Sequence, residues 1–586
     1  MMKVGQWVTL KSLLLVLNSM DLLTIWRPRS YINLFPSIIL CLLSLFYKDS
    51  LGQTLPLGFF FGDEIPRTAQ LLGDIDSNHS LLIRPINAKE LFQSRKGKDS
   101  VYALGNLNFA YVKHEFRWQQ SKIRLGLLPI AFKTQWNTKL PTSTLDGSMI
   151  PSRGLQQLFT GGVYAKAGPI TIQLQPEWVW AQNKAFDFLD VYNSQYELRK
   201  RYWLVSESPE RFGEKAFQYK SFGQSFFRLQ TGPVAFRFSN ENIFWGPGQF
   251  NSLIFSNNAP GFKHVSFESS RPINIGVGFT EFQLIGGILE NYGDNSLPFI
   301  SRRNEERYVN ALSLTFMPKW VPGLFLGFER FFQQYWDDRE NNFRGWLPVF
   351  EGLQKKRFAS GFYNDSYDRR AQDQQMAVSV RWLFQESNAD IYFQFARGDH
   401  AYNWRDLLMS PDHTRAYLAG FKKIFTMGGD NKFFQIRAEV SRSEESPNYL
   451  TRYGTNGGYG WGGHIPITQG STNFGQQLGN LYGPGGNADI IEFSFLNGLN
   501  KYGILFDRYE HQMDFYRQMV LNKKDAKPWI DYGVQFQYTK SIGMFIFNSS
   551  WKFIGIQNYQ WNLLDAVCEC SFKSNMSIAV NGIYRF

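Results

Sequence analysis

The side chains best suited to catalysis lie scattered along this chain. Its seven histidines form no His-Glu-x-x-His pair, and the sequence lacks both a Gly-x-Ser-x-Gly nucleophile motif and a Gly-x-x-x-x-Gly-Lys phosphate loop. Asp399 and His400, with Asp406 and His413, could be imagined as a hydrolytic or metal site, but loop residues that satisfy one another explain the same pattern. The sequence therefore predicts no catalysis, no cofactor and no metal ion.

The most distinctive short stretch lies in residues 241–264 and combines turn-forming residues with hydrogen-bonding side chains. A Trp-Gly-Pro-Gly sequence must interrupt a strand there, because Pro247 has no backbone donor and the flanking glycines permit dihedral angles that other residues avoid. A Ser-Asn-Asn-Ala-Pro sequence follows beside another turn. The stretch either narrows a lumen or binds a ligand. Its candidate site residues are Trp245, Gly246, Pro247, Gly248, Ser256, Asn257 and Asn258.

Strict alternation of apolar and polar residues marks the elements that must position these side chains. In residues 434–441, four apolar residues that begin with Phe434 alternate with four polar ones that begin with Gln435. Residues 171–180 and 532–538 show the same alternation, which indicates strands with one apolar and one polar face. The mean hydropathy is −0.31, and no apolar run beyond residue 46 reaches the ~20 residues that a spanning helix needs. A polytopic helical membrane protein is therefore excluded.

Two architectures fit these strands, a soluble β-sandwich and a transmembrane barrel whose apolar face meets lipid. Charges on the polar faces, such as Arg381 and Glu492, and aromatic residues at strand ends, such as Trp320, favour the barrel. The amphipathic final strand, residues 577–586, favours it too. Spans of ~10 residues with turns and long outer loops give an even count near 16–20 strands. The predicted fold class is all-β: a transmembrane antiparallel β-barrel preceded by a short helical segment.

The N-terminal region is predicted to lie outside this fold. Residues 1–52 contain a basic region, an apolar run and small residues before a cut after Gly52, which is typical of an export leader. An upstream apolar run makes Met20 an alternative start. The formal net charge is +12, but no polybasic block follows the leader, so we expect no binding to nucleic acid.

The rest of the chain divides into a short segment and the barrel. Residues 53–100 are predicted to be a helical periplasmic segment, with a helix over Asp63–Leu72 that has Pro66 in its first turn and Gly73 after its end. Residues 101–586 are predicted to form the barrel. Three long polar stretches are predicted to be outer loops: 184–222, 335–373 and 399–415. A glycine-rich stretch, 452–489, is predicted to be a loop or an insert in the lumen.

The Trp-Gly-Pro-Gly and Ser-Asn-Asn-Ala-Pro sequences resemble the capsule-assembly Wzi family of outer-membrane proteins. Other stretches agree with it from about residue 63 to the C-terminus: 147–154, 168–177, 207–213, 318–327, 397–400 and 483–485. The resemblance implies a barrel of about 18 strands with a helical periplasmic portion in the outer membrane of a Gram-negative bacterium. It also implies a non-catalytic protein that binds surface polysaccharide and aids capsule attachment. We expect a monomer in contact with outer-membrane lipid, whose C-terminal strand ending at Phe586 is recognised by the barrel-assembly machinery.

Polysaccharide binding calls for aromatic faces against the C–H surfaces of sugars, and for amide or charged groups that bind hydroxyls and acids. Two predicted outer loops contain that mixture, although the same side chains could simply fold their own loops. The candidate residues there are Trp336, Arg339, Arg344, Trp346, Trp404 and Arg405.

Two other functions remain open from the sequence. A porin-like solute channel would use the same polar strand faces as a permeation path. A motility-associated surface adhesin is the other alternative, because related members in some gliding bacteria resemble such proteins.

Overall fold

The strands and helices are seen in a computed structural model of the chain. It describes residues 54, 57–58, 60–87, 115–118, 123–188, 206–293, 303–353, 372–398, 404–409, 411–428, 432–446, 460–464, 466–522, 526–563 and 572–585. The predicted leader and the terminal Phe586 lie outside the described residues, as do Asp399 and His400.

Strands dominate the described part of the chain. They are β1 (Ile83–Arg84), β2 (Glu115–Trp118), β3 (Ile123–Thr142), β4 (Ser152–Ala167), β5 (Ile170–Leu174), β6 (Glu177–Ala181), β7 (Phe217–Ser221), β8 (Phe226–Thr231), β9 (Val234–Ser239), β10 (Phe244–Trp245), β11 (His264–Ser269), β12 (Ile273–Asn274), β13 (Gly278–Leu289), β14 (Arg307–Pro318), β15 (Leu324–Tyr335), β16 (Asp373–Phe384), β17 (Ala389–Gly398), β18 (Arg415–Thr426), β19 (Lys432–Arg442), β20 (Thr472–Asn473), β21 (Gln476–Gln477), β22 (Asn487–Asn497), β23 (Asn500–Glu510), β24 (Ile530–Ile542), β25 (Phe545–Gln557) and β26 (Phe572–Tyr584).

The described helices are short, apart from the first. They are α1 (Phe60–Leu71), α2 (Phe343–Trp346), α3 (Trp404–Met409) and α4 (Met513–Phe515), with 3₁₀ turns at Pro348–Phe350, Gln385–Ser387 and Tyr559–Asn562 and a π turn at Tyr516–Val520. None of these helices has the length and apolar character needed to cross a bilayer.

The strands close into one antiparallel barrel. Two small sheets, β1 with β10 and β20 with β21, are separate from it. In the barrel itself each strand pairs with the next barrel strand along the chain or, around the interrupted strands, with one farther along, and β26 closes the ring on β3, where Ile578 lies opposite Trp136. The ring has 18 strands in the described part of the chain, because β5 with β6, β7 with β8 and β11 with β12 each act as one interrupted strand, and β2 pairs with β3 beyond the part of β3 that pairs with β26. The predicted fold class and strand count are confirmed.

The two faces of the wall differ as the period-two pattern predicted. On β24, the outward-facing Tyr532, Phe536 and Tyr538 are exposed, whereas Gly533 and Thr539 point inward and are buried. Large apolar side chains cover the outer face all around the barrel. They include Phe159, Trp178, Phe236, Val378, Phe393, Phe536 and Trp551. So broad an apolar belt suits contact with lipid hydrocarbon, not water.

The two ends of the barrel have different connections. At one end the strands are joined by tight turns, such as residues 498–499 between β22 and β23 and residues 543–544 between β24 and β25. We call this the short-turn end. At the other end the connections are long, as between β19 and β22, and we call it the long-loop end. By strand order, the three predicted outer loops connect strands at the long-loop end, although residues 217–221 of the first belong to β7 of the wall.

Helix α1 ends as predicted but begins earlier than predicted. It starts at Phe60, three residues before the expected Asp63, so Pro66 falls inside the helix and removes one helical hydrogen bond. After Leu71 the chain turns through Gly73, which has φ +81°, and the amide of Asp74 donates to the carbonyl of Ala69 at 2.9 Å. This is the left-handed glycine termination that the sequence indicated.

The helix packs inside the barrel at the short-turn end. Its apolar side chains Ile65, Ala69 and Leu71 are buried in one core cluster with wall residues that border the short turns. These wall residues include Met317, Phe325, Leu383, Ile424, Phe433, Leu496, Ile546 and Ile583. Burial of this apolar ring holds α1 across the end of the lumen.

Candidate functional site

The polar side of α1 is bonded to inward-facing residues of the wall. Arg67 Nε lies 2.7 Å from Asp390 Oδ2, and Arg381 Nη2 lies 2.8 Å from the same oxygen. Arg381 also donates to the side-chain oxygen of Gln70 at 2.8 Å. All four residues are buried. Buried charges need such pairing, because an unpaired ion in a low-dielectric interior is costly.

A second ion cluster lies one turn earlier in the helix. Lys501 Nζ is 2.8 Å from Glu64 Oε2 and 2.8 Å from Glu492 Oε1, and Arg437 Nη2 lies 3.3 Å and 2.6 Å from the same two carboxylates. The sequence had placed Arg437 and Glu492 on a face suited to a water-filled lumen. The structure buries both, because the helix brings a carboxylate to meet them.

The Trp-Gly-Pro-Gly turn is part of the same packed interior. The Trp245 indole donates to Gln283 at 2.8 Å and is completely buried. The carbonyl of Pro247 accepts from Arg67 at 2.5 Å, and those of Gly246 and Gly248 accept from Arg84 at 3.1 and 3.0 Å. The Trp-Gly-Pro-Gly turn therefore binds residues of the N-terminal segment, Arg67 and Arg84, inside the barrel.

The Ser-Asn-Asn residues are also buried and fasten a glycine-rich insert. Ser256 Oγ donates to the carbonyl of Gly479 at 2.6 Å, and Asn258 Nδ2 donates to that of Gln477 at 3.0 Å. Asn257 Nδ2 donates to the carbonyl of Leu145 at 2.7 Å. Gln477 and Gly479 of the predicted insert thus pack against buried residues of the interior, whereas its last residues, 487–489, belong to β22 of the wall. Asn258 alone among these three also borders an open cavity.

The remaining candidates lie at the long-loop end. The guanidinium of Arg339 lies 3.4 Å from the ring centroid of Trp346 and 4.8 Å from that of Trp336, and the two indoles meet edge to face at 6.1 Å. Tyr308 completes the group, and its hydroxyl donates to the Trp346 carbonyl at 2.6 Å. We call Tyr308, Trp336, Arg339 and Trp346 the rim cluster. The last three are partly exposed.

Three further candidates lie on loops of the same end. Arg344 is exposed on α2, and Trp404 and Arg405 are exposed on α3, the indole by 54%. By strand order, both short helices follow strands that end at the long-loop end. The structure thus divides the predicted site into an interior group and a rim group that do not touch.

A cavity of about 550 Å³ lies between α1, the inner wall of β23–β26 and the glycine-rich insert. We call it the wall cavity. Its lining mixes amides, rings and paired charges. Residues that line it include Gln535, Gln537, Lys552, Asp507, His511 and Trp529. Sequence reasoning missed these residues as a site, although the alternation in residues 532–538 had placed the two glutamines on the polar face of a strand.

An aromatic stack borders the wall cavity at the long-loop end. The His511 and Trp529 rings are parallel, with centroids 3.6 Å apart and planes 7° apart. Asp531 holds both, since its carboxylate lies 2.9 Å from His511 Nε2 and accepts from the Trp529 indole at 2.9 Å. No sequence signal could have joined His511 to Trp529, because a loop separates them.

Two buried carboxyl groups meet in the loops at the same end. The amide of Glu445 donates to Asp514 Oδ1 at 2.8 Å, and Gln518 donates to the Glu445 carboxyl at 3.3 Å. Burial, together with the nearby carboxyl of Asp514, raises the pKa of Glu445 to about 9. Burial raises the pKa of Asp514 to about 7.

The described residues hold no group of three or more His, Cys, Asp or Glu side chains that could bind a metal ion. His413 is partly buried in a turn before β18. Its imagined partners Asp399 and His400 lie outside the described residues.

Comparison with known proteins gives the family. The profile of the family described as capsule assembly protein Wzi matches residues 153–495, more than half of the chain. The chain belongs to the Wzi capsule assembly family. Together with the apolar belt of the barrel, this membership places the protein in the outer membrane of a Gram-negative bacterium. A search of curated proteins finds no match to the sequence.

Among solved structures, the chain is similar to Wzi of Escherichia coli, an outer-membrane protein involved in group 1 capsule assembly and a carbohydrate-binding β-barrel. The identity is 12%, the match covers 89% of this chain and 98% of that chain, and the TM-score is 0.55. Acinetobacter baumannii OccAB2 matches with 9% identity over 78% of this chain and 98% of that chain, with a TM-score of 0.38. At such identity the likeness to Wzi shows a shared fold.

Proposed function

We propose that this barrel binds surface polysaccharide at its long-loop end and aids attachment of a capsule to the cell, without catalysing a reaction. The rim cluster carries the proposal. Its Arg339 lies against the faces of Trp336 and Trp346, so one partly exposed group offers both a cation and aromatic surface. Sugars need aromatic faces for their C–H surfaces and charge-assisted donors for acids and hydroxyls.

Other exposed residues of the long-loop end have the same chemistry. The exposed Arg344, Trp404 and Arg405 lie on loops of the same end. Family membership supports a role in capsule assembly. The E. coli relative is described as carbohydrate-binding, which supports a polysaccharide as the partner of this chain.

The packed interior favours binding over passage of solutes. Helix α1 lies across the lumen at the short-turn end, and its charged side chains are paired with the wall. A porin-like channel would need an open path there. We therefore expect almost no steady conductance from the purified protein in a planar bilayer.

Capsule retention tests the proposal directly. A strain that lacks the gene is complemented with the wild type, with an Arg339→Met and Trp346→Leu double variant, or with Arg271→Met, which changes an exposed arginine at the short-turn end. The measurement is the amount of polysaccharide bound to cells against the amount released into the medium. We expect the rim variant to release most of its polysaccharide, and the control to behave as the wild type.

Three results would contradict the proposal. Equal retention by the wild type and the gene deletion would remove the capsule role, and loss of surface spreading with an intact capsule would favour the motility adhesin. Failure of the purified wild type to bind the host polysaccharide, together with a steady open conductance, would favour the solute channel.

The proposal also covers the export leader and the C-terminal strand. We propose that residues 1–52 are removed on export and that the C-terminal strand, with Phe586, is the segment recognised during barrel assembly in a monomer. The N-terminal sequence of the mature protein tests the cut. Outer-membrane insertion of a Phe586→Ala variant tests the terminal signal.

A further inference from the structure

We infer that the wall cavity binds an uncharged sugar unit of the glycan, and this inference rests on the proposed function. The cavity measures about 550 Å³, within the range of ~300–1,000 Å³ that small-molecule sites occupy. It extends from the aromatic stack of His511 and Trp529 at the long-loop end inward to Glu64 of α1. The rim and the wall cavity would then recognise different parts of one chain.

Two side-chain amides on one strand supply the hydrogen bonds. Gln535 and Gln537 of β24 both line the cavity and are half-buried. Within the described residues, neither amide has a hydrogen-bond partner. A buried or half-buried amide without a partner gains free energy when a ligand hydroxyl binds it, and each amide can both donate and accept.

Gly533, on the same strand as these amides, leaves room for an ion pair on the inner face of the barrel wall. A Cβ atom on Gly533 would lie 1.9 Å from Asp507 Oδ1 and 2.7 Å from Lys552 Cε. Only glycine therefore lets the ion pair of Asp507 and Lys552, 2.5 Å long, cross over β24 next to the amides. The pair neutralises the floor of the cavity.

The charges of the lining select against an acidic sugar. The two cations that face the cavity are both engaged: Lys552 by Asp507, and Arg437 by Glu492 at 2.6 Å. Glu64 and Asp507 are paired as well, but the lining as a whole carries an excess of negative charge, since four carboxylates border the space against two cations: Glu64, Glu210, Asp507 and Asp531. A uronate would meet like charge there, whereas a neutral hexose would not.

Aromatic surface at the entrance completes the chemistry. Trp529 is partly exposed, and Asp531 fixes its orientation through the indole nitrogen. Tyr559 lies edge to face with it, with ring centroids 5.0 Å apart. Fixed rings lose little conformational freedom when a sugar packs against them.

Binding to the full-length barrel in detergent tests the inference. The probes are maltohexaose, which is neutral, and an oligogalacturonate of the same length, with affinity measured by titration calorimetry. We expect maltohexaose to bind at least tenfold more tightly than the oligogalacturonate. The double variant Gln535→Leu and Gln537→Leu should lose about tenfold in affinity for maltohexaose. Gln218→Leu, a change of an exposed glutamine on β7, should lose nothing.

A gain of binding provides a second measurement that unfolding cannot mimic. Asp507→Asn removes the carboxylate that engages Lys552 and lowers the negative charge of the lining. We expect this variant to bind the oligogalacturonate about tenfold more tightly than the wild type does.

The inference is overturned if maltohexaose does not bind, if the oligogalacturonate binds more tightly to the wild type, or if the double glutamine variant binds maltohexaose as the wild type does. Titration with the host polysaccharide separates this failure from failure of the proposed function. If the rim variant binds it weakly and the glutamine variant normally, the proposed function stands and the wall cavity has no part in it. If the wild type does not bind it, the proposed function fails.

Discussion

The two ends of this barrel use the same kinds of side chain for different purposes. At the short-turn end, Arg67, Arg381 and Asp390 are buried, and ion pairs join them to one another and to the wall. At the long-loop end, Arg339 and Trp346 are partly exposed and pack against each other. A charged inner face of a barrel therefore does not by itself indicate a water-filled channel. It becomes part of the packed structure where a partner segment fills the lumen, and it stays partly open to solvent where none does.

A single strand shows this division within a few residues. On β23, Lys501 lies near the short turn and is fully engaged by Glu64 and Glu492. Asp507, farther along the same face, borders the wall cavity, and in the described part of the chain its one ion pair is with Lys552. The position of α1 decides which of the two environments a residue has.

The largest expected effect comes from breaking the buried ion pairs of the short-turn end. Asp390→Asn leaves Arg67 and Arg381 buried without their carboxylate, which costs about 3–5 kcal/mol in the free energy of unfolding. Denaturation of the detergent-solubilised barrel measures the loss. Because α1 is then held less firmly, we also expect a steady conductance in a planar bilayer.

The matched control lies at the other end. Asp338→Asn breaks an ion pair with Arg303 that is partly exposed, so we expect a loss below about 1 kcal/mol. If Asp390→Asn and Asp338→Asn lower the free energy of unfolding equally, the buried ion pairs of the short-turn end contribute no more to stability than the partly exposed pair of the long-loop end.

A smaller effect is expected from the turn that receives α1. Gly246 has φ +88°, and a Cβ atom there would lie 2.7 Å from Gln394 Nε2. Gly246→Ala should therefore lower the free energy of unfolding by about 1–3 kcal/mol. Gly276 has φ +85°, but nothing lies within 4 Å of its Cβ position. Gly276→Ala therefore introduces only the backbone strain of a positive φ, and it should lower the free energy of unfolding by less than Gly246→Ala does. Thermal denaturation of the two variants measures the difference, and a larger loss at Gly276 would refute the close packing of the turn.

The smallest effect concerns the loop carboxyls of the long-loop end. Since the pKa of Glu445 is raised to about 9 and that of Asp514 to about 7, both groups bind protons more tightly in the folded protein than in the unfolded chain. Their contribution is fully present below about pH 4.5, the ordinary carboxyl range, and is lost as the pH rises towards 9. Glu445→Gln keeps the neutral form and should raise the stability at pH 8 by about 1 kcal/mol or more.

The pH dependence of thermal denaturation between pH 5 and pH 9 checks this expectation. The wild type should lose stability across the range, and Glu445→Gln should lose less. Glu386→Gln, which changes an exposed residue in a short turn, should follow the wild type. A wild type that gains stability from pH 5 to pH 9 would have the opposite sign and would contradict the neutral state of these carboxyls.

Much of the fold could be predicted because period two is a local property. The alternation of residues 532–538 told which side chains face lipid, and Gly73 told where α1 ends. The contacts of α1 could not be predicted, because Glu64 meets Lys501 at a separation of 437 residues and no local pattern encodes that pairing. These contacts with α1 bury charged residues of the inner face that the sequence alone had suggested would face water.

The candidate site shows the same limit. Clusters near in sequence, such as Trp336, Arg339 and Trp346, could be proposed from composition, and the structure brings them together. The wall cavity draws its lining from strands and an insert far apart in the chain, so only three-dimensional packing shows that Asn258 and Gln535 border one space.

The remote partners of α1 also have a consequence for the order of events during assembly. The helix precedes every strand of the ring in the chain, yet Gln70 and Arg381 are 311 residues apart and Arg67 and Asp390 are 323 apart. Contacts of such separation form late in folding, because the intervening chain must be organised first. We therefore expect the lumen to stay open at the short-turn end of a newly assembled barrel until this one twelve-residue segment has docked.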